Sequence, residues 1–456
     1  EYTDLYIGDT MLFGNLTLQA GVRYDDQHTN IFDAVTETNP TLPDLLPSVS
    51  LPAEAFGPQE DYQNISPRLG LTYALGEDRS TLLRAAYNQY VDQLGGGTNN
   101  FSFGYSYLYM YFADANHNRI AEREEILFDY GIGAFYGVNP DDPTAAIVSS
   151  RFDPDLEAQT TDEIILGVER EILPQFTVGL NYTHREVDNF THTLFETAPG
   201  SGDFFGRDDY VFGGTVETTL PDGRVVTNDF FELRDGLQET WGFITNRDGY
   251  SQEYDGIELT AVKRLSNRWM LRGNVSWNDW TQNVDDQAII DPTLQRSGTG
   301  CSICDGSDVV EGSGSGSGSF GGVYINSGWS FVLTGLYQIP VIETNFGVNI
   351  SGREGYPIPY VHRVSASEAR KFLLVDGVTD NRHDDPILVD LRLSKDFQLG
   401  GVGLNVGVDA FNITNEQTVL QRRTELARSG RARPNANEIT EMISPRIFRV
   451  GVRLSF

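Results

Sequence analysis

The last segment of the chain, Ile447-Phe448-Arg449-Val450-Gly451-Val452-Arg453-Leu454-Ser455-Phe456, alternates between apolar and polar residues without a break. Every second position from 448 to 456 is apolar, and arginine, glycine or serine stands between them. Successive side chains of an extended strand point to opposite sides, so this pattern predicts a β-strand with one apolar and one polar face.

The same alternation recurs along the whole chain and predicts thirteen strands. They lie near residues 2–12, 16–25, 66–75, 80–91, 162–172, 176–188, 255–264, 269–280, 327–338, 344–352, 386–397, 402–413 and 446–456. A soluble β-sandwich would also show strands with one apolar and one polar face. The strands alone therefore do not separate a soluble protein from a membrane protein.

The connections between these strands separate the two classes. The links after odd-numbered strands are tight, as in Phe13-Gly14-Asn15, whereas each link after an even-numbered strand is about 30 to 70 residues long. The long segments lie near 26-65, 92-161, 189-254, 281-326, 353-385 and 414-445. Short periplasmic turns alternate with long outer loops in outer-membrane barrels, and long structureless loops are uncommon in compact soluble domains. The sequence thus predicts an all-β, antiparallel transmembrane β-barrel over residues 1–456.

Charge and hydropathy agree with this class. Asp and Glu number 65 against 33 Lys and Arg, for a formal net charge of −32. Such a chain would be repelled by phosphates, which excludes a nucleic-acid partner. No apolar run reaches the roughly 18 residues that a membrane-spanning helix needs. The strands of a barrel show half their side chains to a polar lumen, so its mean hydropathy stays low.

The direction of the strands predicts that part of the barrel lies outside this sequence. The last strand follows a long outer loop and runs toward the periplasm, and counting back brings the first strand in from the outer side. Single-chain bacterial barrels have an even number of strands with both ends in the periplasm. Thirteen strands therefore require further N-terminal strands, and 446–456 should form no ladder with 2–12.

Several strands resemble those of a known family. The segments that carry the resemblance are Asn64-Ile65-Ser66-Pro67-Arg68-Leu69-Gly70-Leu71-Thr72-Tyr73, Gly167-Val168-Glu169-Arg170, Val408-Asp409-Ala410-Phe411-Asn412-Ile413-Thr414-Asn415 and Ser444-Pro445-Arg446-Ile447-Phe448-Arg449. They resemble strands of TonB-dependent outer-membrane receptors, the Oar-like subgroup in particular. The resemblance covers the strands of nearly the whole chain and fades in the loops.

The resemblance implies a 22-stranded barrel with an N-terminal plug in the outer membrane of a Gram-negative bacterium. About thirteen of those strands are present here, and the plug and the TonB-contacting box are not. The partners that it implies are the TonB complex, reached through the missing N-terminal region, outer-membrane lipid and an unknown transported ligand. The ligand and the direction of transport stay open.

Two other functions remain as alternatives. A passive porin-like or fatty-acid-transporter-like channel of about 14 strands would suit the length of the chain. A structural or adhesive surface barrel would use its acidic loops to bind partners or divalent ions. An enzyme is not expected, because the six histidines are scattered and form no known catalytic motif.

One acidic segment has the spacing of a calcium loop. Oxygen ligands at positions 1, 3, 5, 7 and 12 of a twelve-residue loop can surround Ca²⁺. The corresponding residues are Asp114, Asn116, Asn118, Ile120 through its carbonyl, and Glu125. Arg119 stands where such loops carry the glycine of their sharp turn. The alternative is a solvated acidic loop without a metal.

The two cysteines, Cys301 and Cys304, lie three residues apart in a glycine-rich loop. A zinc site needs four ligands and no second cysteine pair exists, so a local disulfide is expected rather than a thiolate metal site or redox motif. The regular run from Gly312 to Ser319 is of low complexity, and its origin stays open.

The remaining expectations concern particular side chains. Alternating runs on both sides of Pro221-Asp222-Gly223 predict a β-hairpin within an outer loop. Aromatic residues near the strand ends, among them Tyr87, Tyr90, Trp277 and Trp280, predict a membrane-interface girdle. The alternation also places Val406, Val408 and Val452 on the lipid-facing side.

Overall fold

The structure, a computed structural model, describes residues 1–30, 32–56, 61–94, 107–131, 134–136, 142, 144, 150–198, 200–297, 300–313 and 323–456. Thirteen strands form one antiparallel sheet in chain order. We number them β1 (Tyr2–Phe13), β2 (Leu16–His28), β3 (Asp61–Leu75), β4 (Thr81–Val91), β5 (Thr160–Leu173), β6 (Phe176–Asp188), β7 (Tyr250–Ser266), β8 (Trp269–Val284), β9 (Trp329–Ile339), β10 (Thr344–Arg353), β11 (Ile387–Leu399), β12 (Val402–Phe411) and β13 (Ile447–Ser455). The predicted thirteen-stranded antiparallel sheet is confirmed.

The strands are longer at their outer ends than the alternation predicts. β3 begins at Asp61 instead of residue 66, and β7 begins at Tyr250 instead of residue 255. These extensions pair with the outer ends of β2 and β8. They carry polar residues on both faces, so their sequence lacks the alternation that reveals the rest of each strand.

The tight turns lie at one end of the strands and the long loops lie at the other end. Asn267 and Arg268, which join β7 to β8, both have positive φ (51° and 69°), as a two-residue turn between right-twisted strands requires. The long connections are called L1 (29–60), L2 (92–159), L3 (189–249), L4 (285–328), L5 (354–386) and L6 (412–446).

The register gives the sheet one apolar and one polar face. One row of directly opposed residues runs Leu166, Tyr182, Ile257, Trp277 and Trp329 across β5 to β9. The adjacent row, which points to the other side, runs Gly167, Asn181, Glu258, Ser276, Ser330 and Arg353. The apolar face is the one that would meet lipid, and the polar face would line the lumen.

The same rule holds at the C-terminal end of the sheet. Val408 lies opposite Leu393 and Val450, and Val406 lies opposite Val452. The inward neighbour Asp409 instead accepts hydrogen bonds from Arg392 and Arg449. The three valines therefore share one face, as predicted. β1 pairs with β2 and β13 pairs with β12, and no ladder joins β1 to β13, both of which are described throughout.

The outer loops are packed and contain most of the fully buried apolar side chains. One cluster joins L4 and L5 through Cys301, Val310, Tyr324, Val361, Leu374 and Val378. A second joins L3, L5 and L6 through Leu220, Ile358, Tyr360, Val375 and Leu426. We call this assembly of L3 to L6 the loop cap. No helix among the described residues is long and apolar enough to cross a membrane.

The predicted hairpin is part of this cap. Tyr210–Thr219 pairs antiparallel with Val225–Leu233 around the Pro221-Asp222-Gly223 turn. Asn228 donates from its amide nitrogen to the carbonyl oxygen of Leu374 in L5, at 2.9 Å. The hairpin is confirmed, and its buried contacts go to neighbouring loops.

Candidate ligand site inside the barrel

A row of polar and aromatic side chains crosses the inner face near the outer ends of β4 to β8. Glu163 of β5 lies opposite Asn88 of β4 and Arg185 of β6. Arg185 lies opposite Tyr254 of β7, and Tyr254 lies opposite Trp280 of β8. Directly opposed residues point to the same side of a sheet, so all five share the lumen.

The charges in this row are paired. The Arg185 Nε donates to Glu163 Oε2 at 2.7 Å, while the Tyr90 hydroxyl and the Asn88 amide donate to Glu163 Oε1 at 3.2 and 3.3 Å. Glu163 is only 4% exposed. A buried carboxylate with three donors is held in place, which makes it unsuited to act as a free acid or base.

Three aromatic rings surround this ion pair. Tyr90, Tyr254 and Trp280, with Thr161 and Val187, line a cavity of about 400 Å³. The Arg68 guanidinium lies 3.9 Å from the centroid of the Tyr90 ring, and that of Arg185 lies 5.6 Å from the centroid of Tyr254. Rings held by cations and cross-strand neighbours offer flat apolar surfaces to a ligand.

This placement corrects the expectation of an aromatic girdle. Trp277 is on the apolar face and 50% exposed, in agreement with a membrane interface. Trp280, three positions later, points into the lumen, and Tyr90 does so as well. Residues an odd number of positions apart on a regular strand lie on opposite faces, so one girdle could not include both tryptophans.

The segment predicted to bind calcium lies in L2 and turns back on itself. Both carboxylate oxygens of Asp114 accept backbone N–H bonds, from Asn118 and Arg119, each at 3.1 Å. Glu125, at the other end, accepts from the backbone N–H of Ala115 at 2.9 Å. Position 12 is therefore folded onto the start of the loop, as wrapping one ion requires.

The sharp turn of this loop forms even though glycine is absent. Arg119 has a φ of 59° and His117 a φ of 60°, both in the left-handed region. Such a conformation costs a non-glycine residue roughly 1–2 kcal/mol. The side-chain oxygens of Asn116 and Asn118 accept backbone N–H bonds at 3.0 and 2.7 Å. Calcium binding by this loop stays a prediction.

Cys301 and Cys304 form a disulfide in L4, with the sulfur atoms 2.01 Å apart. Gln282 of β8, which is fully buried, donates from its amide nitrogen to the carbonyl oxygens of Cys301 and Cys304 at 2.9 and 2.8 Å. This glutamine fixes the cysteine turn to the end of the barrel strand. Most of the adjacent Gly-Ser run, from 314 onward, lies outside the described residues.

The histidines are dispersed over the structure. His192 in L3 and His383 in L5 lie on different loops, and burial lowers the pKa of each to about 4. His362 is buried within the loop cap. None of these three belongs to a group of three or more possible metal ligands in the described part of the chain.

Several known proteins are similar to this chain in sequence or in structure. A TonB-dependent transporter, Oar, from Myxococcus xanthus is 23% identical over 287 residues, which are 59% of this chain and 22% of that protein. The FrpB iron transporter of Neisseria meningitidis (F3-3 variant) is 12% identical with a TM-score of 0.46, over 99% of this chain and 44% of its own. The ferric preacinetobactin receptor BauA of Acinetobacter baumannii is 11% identical with a TM-score of 0.48, over 99% and 42%.

This chain thus spans less than half the length of each of these three proteins. Their names describe transporters and receptors, not enzymes. The family model described as "Outer membrane beta barrel domain" matches residues 2–348, which is more than half of the chain. The chain therefore belongs to the outer membrane beta barrel domain family.

Proposed function

We propose that this chain is the barrel part of a TonB-dependent transporter that moves an unidentified ligand across the outer membrane. The observation that carries the proposal is the aromatic cavity on the lumenal face, at the outer ends of the strands. A ligand that reaches this level can stack on Tyr90, Tyr254 and Trp280. A plug and a TonB-contacting segment N-terminal to this chain would couple release of the ligand to the energy that TonB supplies.

The charges of the site favour one kind of ligand. Glu163 is the one carboxylate of this row and is paired with Arg185, while the Arg68 guanidinium lies against the Tyr90 ring. A ligand with flat or apolar faces and few positive charges suits these walls. The similarity of the chain to the Oar transporter supports transport as the function and leaves the ligand open.

The two tryptophans of β8 provide a matched test of transport. Trp280→Ala should lower ligand uptake by cells about fivefold, because aromatic stacking contributes about 1 kcal/mol per ring pair and 1.4 kcal/mol corresponds to a factor of ten. Trp277→Ala removes an equal ring from the lipid-facing side and should leave uptake unchanged. The assay supplies ferric siderophores, cobalamin, oligosaccharides and peptides separately to cells with and without TonB.

The outcomes separate the candidate functions. Uptake that needs both TonB and Trp280 supports the proposal. Uptake that persists without TonB would instead identify a passive channel. Ligand or surface binding without any uptake would point to an adhesive barrel.

We also propose that the L2 segment from Asp114 to Glu125 binds calcium. The folded-back geometry and the donors already held by Asp114 support this assignment. Calcium titration should protect L2 from protease, and Asp114→Ala should abolish that protection. Equal cleavage in calcium and in chelator would indicate that the segment is a solvated acidic loop without a metal.

The cysteine pair is proposed to act as a local clamp on L4. Mass spectrometry of the isolated protein should give a mass two hydrogens below that of the reduced chain. Reduction should then increase protease cleavage within 300–313 more than cleavage elsewhere. Free thiols in the untreated protein would contradict this proposal.

A further inference from the structure

Six ionisable side chains crowd the outward face at the outer ends of β5 to β8. They form two adjacent cross-strand rows, one of Asp162, Glu186 and Glu253, and one of His184, Asp255 and Asp279. Both rows lie beyond the apolar row that contains Tyr182 and Ile257, on the same face of the sheet. The group therefore faces away from the lumen and is separate from the ligand site.

This arrangement places like charges directly opposite one another. Asp162 faces Glu186, Glu186 faces Glu253, and Asp255 faces Asp279. Directly opposed like charges destabilise a sheet. Among the described residues, two of these five carboxylates form ion pairs. Glu253 and Asp255 each pair with His184. In the part of the chain that the structure describes, no lysine or arginine forms an ion pair with the patch.

Three of the six side chains have the geometry of a metal site. The His184 Nδ1 lies 3.1 Å from Asp255 Oδ1 and 3.9 Å from Glu253 Oε1. The three ligand atoms all lie within 4.8 Å of one another, and within the described chain only these three residues form such a group. Ligands placed tetrahedrally around zinc are about 3.3–3.6 Å apart, given bonds of about 2.0–2.2 Å. Small side-chain rotations would bring them to that spacing.

The local structure explains why these three meet. Glu253 and Asp255 are two positions apart on β7, so both point outward. His184 is the direct partner of Asp255 on β6. The Tyr182 hydroxyl donates to Asp255 Oδ1 and orients the carboxylate from below. Hydrogen bonds of this kind to a ligating group position it for a metal.

We propose that His184, Glu253 and Asp255 bind a divalent transition-metal ion of the zinc type on the outward rim of the barrel. An imidazole nitrogen with two carboxylates suits zinc and its neighbours, whereas calcium and magnesium prefer oxygen alone. Three protein ligands leave a coordination position for water. The ion relieves the repulsion between the rows and joins β6 to β7 at their outer ends.

Cobalt(II) is the probe that tests this site, because its visible absorption reports the ligand geometry. The purified protein in detergent at pH 7.5 should bind one equivalent, and zinc should displace it while calcium should not. His184→Ala, Glu253→Gln and Asp255→Asn should each weaken cobalt binding at least tenfold. The heat-dependent shift of the barrel in electrophoresis verifies that every variant is folded, and His184→Gln replaces His184→Ala if the latter is not.

Asp279→Asn is the matched control. It removes one negative charge from the same patch, opposite Asp255, without removing a proposed ligand. Its cobalt affinity should change less than threefold. Unchanged cobalt binding in the folded His184 variant would overturn the proposal. Equal losses in Asp279→Asn and Asp255→Asn would also overturn it, because they would indicate diffuse attraction by the acidic patch.

Discussion

His362 joins three outer loops, and replacing it tests how the loop cap is held together. It lies in L5, is 0% exposed, and its Nε2 accepts the backbone N–H of Gly430 in L6 at 3.1 Å. Its Nδ1 lies 2.7 Å from the hydroxyl oxygen of Thr218 in the L3 hairpin. Since a backbone N–H can only donate, Nε2 carries no proton and Nδ1 donates to Thr218. The ring is therefore neutral, and burial lowers its pKa accordingly.

His362→Phe keeps the ring and removes both hydrogen bonds. Thr218 is only 3% exposed, so its unpaired hydroxyl should cost about 1–3 kcal/mol. Gly430 is at an exposed turn where water can replace the lost acceptor, so that bond contributes only about 1 kcal/mol. The cap should lose about 2–4 kcal/mol in total. Because 1.4 kcal/mol corresponds to a factor of ten, this loss is roughly 30- to 700-fold in the opening equilibrium.

Hydrogen exchange read by mass spectrometry measures this opening peptide by peptide. Protection of the hairpin, Tyr210–Leu233, should fall by that factor in His362→Phe, while protection of the barrel strands stays unchanged. Adding Thr218→Val removes the unpaired hydroxyl and should restore part of the protection. A change below threefold, or no recovery in the double variant, would refute the idea that His362 holds the cap together.

Three further changes test separate features. Val408→Arg should lower the unfolding free energy in micelles by about 2–4 kcal/mol, and the inward Asn405→Arg should be tolerated; equal effects would mean that the assigned faces are wrong. Arg119→Gly should relieve about 1 kcal/mol of strain in the left-handed backbone and raise the calcium affinity measured by calorimetry. An unchanged affinity would show that this turn does not limit calcium binding. His192 and His383 have pKa values lowered to about 4, so the unfolded chain takes up protons first as the pH falls below about 6.5. The stability of the loop cap should decline between about pH 6.5 and about pH 4, by at most about 3 kcal/mol for each histidine. Hydrogen exchange in L3 and L5 that does not depend on the pH in this way would falsify this.

The alternation of apolar and polar residues predicts the strands well because it depends on each strand alone. A side chain that meets lipid must be apolar whatever its partner is, so β12 and β13 can be identified from their own residues alone. The same reasoning separates Trp277 from Trp280 by counting positions along the strand. The girdle prediction overlooked this count and relied on residue type.

The loop cap could not be predicted in this way. His362, Thr218 and Gly430 come from three different loops, and the bond between His362 and Thr218 joins residues 144 positions apart. Each loop is irregular and carries no period that could indicate its partner. The buried polar groups find their hydrogen-bond partners only when the three loops meet. Nothing in the sequence therefore distinguishes them from other polar residues of the loops.

The ligand site and the proposed metal site both depend on register irregularities that no alternation pattern reveals. At the turn between β5 and β6, Leu173 pairs with Phe176, but beyond a bulge Glu171 pairs with Thr177. Without that extra residue Glu163 would lie opposite Glu186, and two carboxylates would repel each other in the lumen. With it, Glu163 meets Arg185 and Glu186 moves to the outward face.

A second irregularity between β7 and β8 acts in the same way. Ser266 pairs with Trp269, but Lys263 pairs with Leu271, so Tyr254 lies opposite Trp280 and not Thr281. Because the side-chain period is two, one inserted residue exchanges the two faces for the rest of the strand. The two bulges near the periplasmic turns therefore determine which charges and rings enter the lumen at the outer ends of the strands.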